Sequence, residues 1–170
     1  PDVLFAFVNA GNVAPALFRE FREKGLPEAG IRLIGTGDTV HESIMEVLGE
    51  RALDTVTDYP YSMHHKSDLN TGYVREFQAM RGADARPTIM SVAAYDGMAA
   101  IYAALKKTGG KADGPVLIAA LKGIRIDSPR GPIGIDAKTG DIVQDQYIRR
   151  VEKAGGVLAN VEFETYKAAR

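Results

Sequence analysis

The chain of 170 residues contains no cysteine. Disulfides, thiolate metal sites and thiol nucleophiles are thereby excluded, while the compartment stays open, because many exported proteins also lack cysteine. A charge excess is missing too: 21 Lys and Arg stand against 22 Asp and Glu, a formal net charge of −1. With acids and bases interleaved, there is no electrostatic footprint for nucleic acid, and no nucleic-acid partner is expected. No run approaches the roughly 20 consecutive apolar residues that a membrane-spanning helix requires. Internal repeats and low-complexity segments are absent. The opening "PDVLFAFV" has neither a basic n-region nor a small-residue cleavage site, so it does not read as a signal peptide. It reads as strand from its first apolar residue, and the expectation is that the numbered chain begins in the middle of something larger.

Catalytic signatures are equally scarce. Ser43, Ser62, Ser67, Ser91 and Ser128 carry no G-x-S-x-G elbow, and "VHESIME" is not H-E-x-x-H because Met45 stands at its last position. His64 and His65, with Asp68 nearby, diverge as neighbours and lack a clear third ligand, so "HHKSD" reads as a solvated loop. No enzyme activity, cofactor or metal is expected. What the sequence does contain is 45% hydrophobic and 25% charged residues, an ordinary globular balance. At this size about 70% of the unfolded surface should be buried on folding.

The first 60 residues alternate strand and helix. "VLFAFV" (Val3 to Val8) has the pattern of a strand buried on both faces of a parallel sheet. "VAPALFREFREKGL" puts Val13, Leu17, Phe18, Phe21 and Leu26 at helical spacing, with Pro15 in the first turn and Gly25 near the C-cap. "IRLIG" is a second strand, "TVHESIMEVLGERA" a second helix and "LDTVTDYPY" a third strand. Such β-α-β-α-β order predicts right-handed crossovers and a helix-covered parallel sheet, an α/β fold class.

From Asp58 the rhythm changes. Three helical stretches follow, and the middle one, "PTIMSVAAYDGMAAIYAALKKTGG", carries a stripe of Ile89, Val92, Ala93, Ala100, Ile101, Ala104 and Leu105. Lys106 and Lys107 suit its C-terminal dipole, and Gly109 and Gly110 stop it. A small β unit closes the chain, formed by "GPIGID" and "DIVQDQYIRRVE" around the turn "AKTGD", then "GGVLANVEFETY". The change of composition predicts that the backbone leaves one lobe for another near residues 58 to 62, through a hinge. Arg130 in "SPRGP" reads as a surface or hinge residue.

One stretch combines apolar strand, glycines and an acid: "RLIGTGDTVHES". Its "GTGDT" is no dinucleotide fingerprint, since Val40 replaces the third glycine, and no Walker lysine-serine pair follows. Two readings remain open. Asp38 or Thr39 caps a helix that starts near Val40, or Asp38 lies at the C-terminal edge of the sheet, where ligands of open α/β folds bind, and accepts hydrogen bonds from a cation or ammonium. "NAGN" (Asn9 to Asn12) reaches the same edge and is either a loop with an N-cap or a carboxylate holder. Tyr59, Tyr61 and Tyr95 are either packed rings or aromatic walls for a small ligand.

The succession "PDVLFAFVNAGNVAPALFREFREKGL", "IRLIGTGD", "AYDGMAAIYAALKKTGG" and "SPRGPIGIDAKTGDIVQDQYIRRVE" resembles the C-terminal half of the type I periplasmic solute-binding proteins of ABC importers, the leucine/isoleucine/valine-binding class. The resemblance implies the type I periplasmic-binding-protein fold, two Rossmann-like lobes with hinge crossovers, present here only in its C-terminal portion. It assigns 1–58 to the second lobe, 59–67 to a hinge crossover, 68–127 to helices of the first lobe, and 128–170 to a further crossover and C-terminal strands. It further implies a periplasmic component that captures a small molecule, an amino acid or related polar or aromatic acid, between two lobes and presents it to a membrane permease. An alternative is an effector-sensing domain of a regulator with the same fold. By analogy Asp38 receives the ligand's ammonium, Asn9 makes a direct contact, and Ala10, Thr39 and Tyr59 line the cleft. An aromatic common in amino-acid binders is replaced here by Asn9 and Ala10, which leaves room for polar amino acids, amides or aromatic acids. A chain lacking half of each sheet exposes edges and apolar faces, so pairing with the missing N-terminal half, or with another copy of the chain, is expected.

Overall fold

A computed structural model describes residues 1–9 and 11–168. The chain divides into two units, one of Pro1–His65 with Gln146–Tyr166, the other of Lys66–Asp145 with the residues after Tyr166.

The first unit is built on a five-stranded sheet of order β1-β2-β3-β7-β8. Strands β1 (Val3–Ala6), β2 (Arg32–Thr36) and β3 (Val56–Tyr59) run parallel. β7 (Gln146–Ala154) pairs antiparallel with β3, and β8 (Val157–Tyr166) antiparallel with β7. Helix α1 (Val13–Glu23) turns Ala14, Phe18 and Phe21 inward, the i, i+4, i+7 spacing of one helix face. Pro15 is harmless in its first turn, and Gly25 ends it at φ +65°. With Leu33, Val40, Met45, Leu48, Ala52 and Val151, the two phenylalanines form one contiguous apolar core.

Two expectations fail in this unit. β1 is not buried on both faces: it pairs only with β2 among the described residues, and Phe5 and Phe7 are 62% and 78% exposed. An edge strand has one unpaired side, and here no helix of the described chain covers its rings. The second helix, read over Thr39 to Ala52, is instead a train of short turns. Tight 3₁₀ turns at Gly37–Val40, Glu42–Ile44 and Gly49–Ala52 flank a helix α2 of only four residues, Met45–Leu48. His41 breaks it, with extended backbone at ψ 141° and a ring nitrogen that accepts from Ser43 N at 3.3 Å. Val40, Met45, Leu48 and Ala52 still point inward, which explains the helix-like pattern.

The second unit holds α3 (Asp68–Arg81), α4 (Ile89–Lys107) and α5 (Gly114–Leu121), with a three-stranded antiparallel sheet of β4 (Arg125–Ile126), β5 (Ile133–Ile135) and β6 (Ile142–Val143). Each helix begins at a residue suited to satisfy orphan N–H groups: Ser67 Oγ accepts from Asn70 N at 3.1 Å, Thr88 and Ser91 form a capping box, and Asp113 accepts from Val116 N. The buried line of α4 is Val92, Asp96, Ala100 and Ala104. Ala93 and Ile101, expected in the stripe, are exposed, and an acid takes a place inside it. Arg130 explains the acid. Far from lying at the surface, Arg130 is buried and its Nε donates to Asp96 Oδ2 at 2.7 Å, while Nη1 reaches Gln144.

The late strands do not form one small β unit. "DIVQDQYIRRVE" is cut between Asp145 and Gln146, β6 staying in the second unit and β7 completing the sheet of the first. In β7, Tyr147, Arg149 and Val151 alternate inward, the period-2 signature of a half-buried strand.

Candidate functional site

In the register of the sheet, Ala6 lies beside Gly35 and Thr36 beside Asp58. The segments that follow, with Asn9, Asp38 and Tyr59, therefore emerge at the same C-terminal edge of the parallel strands. Ala10 lies outside the described residues. The glycines of "GTGD" serve close approach. A Cβ on Gly35 would stand 2.6 Å from the Ala6 carbonyl oxygen, and one on Gly37 would overlap the Tyr59 ring. Each glycine admits a neighbour from the adjacent strand.

Tyr59 lies across Gly37 and its hydroxyl donates to Asp38 Oδ1 at 2.7 Å. The 3₁₀ turn that contains Asp38 has no side-chain cap bond from Thr36, and the acid's hydrogen bond goes to the tyrosine of the neighbouring strand. Burial first, and then the hydrogen bond and charge of Asp38, push the Tyr59 phenol above its ordinary range, with the Arg149 guanidinium opposing. The phenol is therefore a donor at neutral pH and Asp38 the acceptor, with one carboxylate oxygen left over.

Beneath Tyr59 is a charged group that the reading of the sequence missed. Arg149, fully buried, places its guanidinium 4.8 Å from the ring centroid. Its Nη1 donates to the Tyr61 carbonyl at 2.6 Å and to Glu42 Oε1 at 3.4 Å, and its Nη2 to Thr57 Oγ1 at 3.3 Å. Glu42 Oε1 also accepts from Asn160 Nδ2 at 3.1 Å. The signal was available: in "QYIRRVE" an arginine occupies an inward position of an alternating strand, where a charge needs a partner.

The other candidates sit as follows. Thr39 is fully buried, with its hydroxyl beside Gly35. Asn9 is exposed. Tyr61 is fully buried and packs inside the first unit. Tyr95, in the second unit, is half exposed and meets the Tyr73 ring at 5.2 Å. His65 Nδ1 lies 2.8 Å from Glu162 Oε2. Among the described residues no group of three His, Asp or Glu could hold a metal ion, and no helix is long and apolar enough to cross a membrane.

Residues 1–156 match the model of a family described as periplasmic binding protein. A relative from Brucella melitensis, a "Leu/Ile/Val-binding protein homolog 6", is 38% identical over 165 residues, 96% of this chain and 42% of its own length. The chain thus spans less than half of the curated relative it matches. A solute-binding protein of an ABC transporter from Rhodopseudomonas palustris BisB5, solved with 3,4-dihydroxybenzoic acid, is 46% identical with a TM-score of 0.90 and covers 100% of this chain, which spans 46% of it. A second, from Rhodopseudomonas palustris HaA2 with p-hydroxybenzoic acid, is 38% identical with a TM-score of 0.90, over 99% of this chain and 46% of that one. With the family model matching residues 1–156 and a relative 38% identical over 96% of the chain, one assignment follows: the chain belongs to the periplasmic binding protein family.

Proposed function

We propose that the protein is the solute-binding component of an ABC importer, that it works in the periplasm with a membrane permease, and that its solute is a hydroxylated aromatic acid. The carrying observation is the Tyr59–Asp38 pair at the sheet edge. A carboxylate with one oxygen satisfied at 2.7 Å has the other to offer to a ligand donor, either an ammonium or a phenolic hydroxyl. It repels a ligand carboxylate. An aromatic acid would accordingly present its hydroxyl to Asp38 and its carboxylate elsewhere, with Asn9 as the second contact. Similarity to two proteins solved with hydroxybenzoic acids favours the phenol over the ammonium.

Calorimetry on the full-length protein tests this with 4-hydroxybenzoate, benzoate and leucine. 4-Hydroxybenzoate should bind, benzoate at least about tenfold more weakly, and Asp38→Ala should weaken 4-hydroxybenzoate by roughly 2 kcal/mol, the size of a hydrogen bond to a charged acceptor. Binding of leucine alone would transfer Asp38 to the ammonium role and reject the aromatic acid.

A further inference from the structure

We infer that Arg149 is a positioning residue of the ligand site, holding the Tyr59 ring so that its hydroxyl is aimed at Asp38. The inference rests on the reading of Asp38 and Tyr59 given above. Tyr59 is confined on two sides: Gly37 has no side chain to displace the ring, and the Arg149 guanidinium lies 4.8 Å from its centroid. A guanidinium over a phenol attracts the ring's negative face. It also draws electron density from the ring, which makes the hydroxyl a better donor to a carboxylate.

Arg149 is in turn fixed from outside the edge. Asn160 on β8 holds Glu42, Glu42 and the Tyr61 carbonyl hold Nη1, and Thr57 holds Nη2. A chain of contacts thus runs from Asn160 through Glu42, Arg149 and Tyr59 to Asp38. Stability is a poor explanation for it. A buried ion pair recovers little more than its desolvation cost, and apolar pairs of similar volume often do as well or better. This pair is also imperfect as a stabiliser, since Arg149 Nε and Glu42 Oε2 are buried without a hydrogen-bond partner. What an apolar pair could not do is orient the phenol by charge.

The test replaces both charges together in the full-length protein, Glu42→Gln with Arg149→Met, so that neither is left buried alone. Glu42→Leu with Arg149→Leu, which removes both charges in favour of an apolar pair, is the second variant should the first not fold. 4-Hydroxybenzoate affinity should fall roughly tenfold, within the range of a desolvated cation–π contact, while benzoate affinity is unchanged because benzoate has no hydroxyl for Asp38. An equal fall for both ligands, or no fall for either, overturns the positioning role. A readout without ligand separates this from the functional reading. With tyrosine labelled at 13Cζ, the Tyr59 resonance, assigned by Tyr59→Phe, should shift in either charge-free variant toward its position in Asp38→Ala. An unmoved resonance overturns the inference even where ligand discrimination holds. A moved resonance in a protein that does not bind 4-hydroxybenzoate supports the inference and rejects the ligand assignment alone.

Discussion

The two units bury their apolar residues very differently. In the first, α1, the train of turns and the sheet enclose a single cluster that includes Phe18, Phe21, Leu33, Val40, Leu48 and Val151, with Phe5 and Phe7 at the edge left exposed. In the second, the longest helix buries a line of Val92, Asp96, Ala100 and Ala104, while Met90, Tyr95, Met98 and Tyr102 stand 46% to 70% exposed. Helices need a broad apolar surface to cover, and β4 to β6 are only two or three residues long. The first unit carries its own sheet within this chain, whereas the second is mainly helices. What the difference teaches is that length and composition set how much apolar surface exists, but the sheet decides where it can be hidden.

The contrast is broken or sharpened by substitution. Phe18→Ala should have the largest effect, about 3–5 kcal/mol of stability lost from the first unit by transfer and cavity terms, whereas Met98→Ala should change stability by no more than about 0.5 kcal/mol. Denaturant titration of both variants decides it, and an equal loss for Met98→Ala would mean that α4 is as well packed as α1. Each unit also holds a buried arginine–carboxylate pair, Arg149–Glu42 in the first and Arg130–Asp96 in the second. Arg130→Met leaves the carboxylate of Asp96 buried and alone, so a loss of about 3 kcal/mol is expected. Asp96→Leu combined with Arg130→Met should recover most of it. If the single change were silent in melting experiments, the second unit would be too loosely built to notice a buried charge.

The smallest effect concerns alkaline pH. The Tyr59 phenol is raised above its ordinary value, so the native state keeps a proton that the unfolded chain releases near pH 10. The bound-proton count is then higher in the folded state, and stability falls as pH rises. The contribution is present below about pH 10 and is lost above it as the folded phenol titrates. Melting temperatures from pH 8 to 11 should therefore drop less steeply for Tyr59→Phe than for the natural chain, and parallel curves would place Tyr59 in water.

Much of this was legible in the amino-acid order. Short-range patterns carried the parallel strands, α1, α3, α4 and α5, because periodicity and capping residues act over a few positions. Asp38 and Tyr59 were legible as residues that follow strands, since parallel strands in register bring their ends to one edge. The hydrogen bond between them was not. The train of turns after Thr36 was misread as a helix, because inward residues at near-helical spacing hide a break that depends on the backbone of His41. The split of "DIVQDQYIRRVE" between two sheets was invisible as well, since a single run of alternating residues does not say which sheet each part joins.

By itself the sequence determined the α/β class, the placement of an acid and a tyrosine at strand ends, and the absence of thiol chemistry, all of which depend on local pattern or composition. Only the tertiary structure decided that the glycines of "GTGD" serve close approach, that the acid answers to Tyr59, and that Arg149 lies beneath that ring. Arg149 and Glu42 are 107 residues apart, and no periodicity spans that distance. The pairing of β3 with β7 sets Arg149 opposite Thr57, and the turn at Glu42–Ile44 brings the carboxylate to it, which are properties of the folded chain.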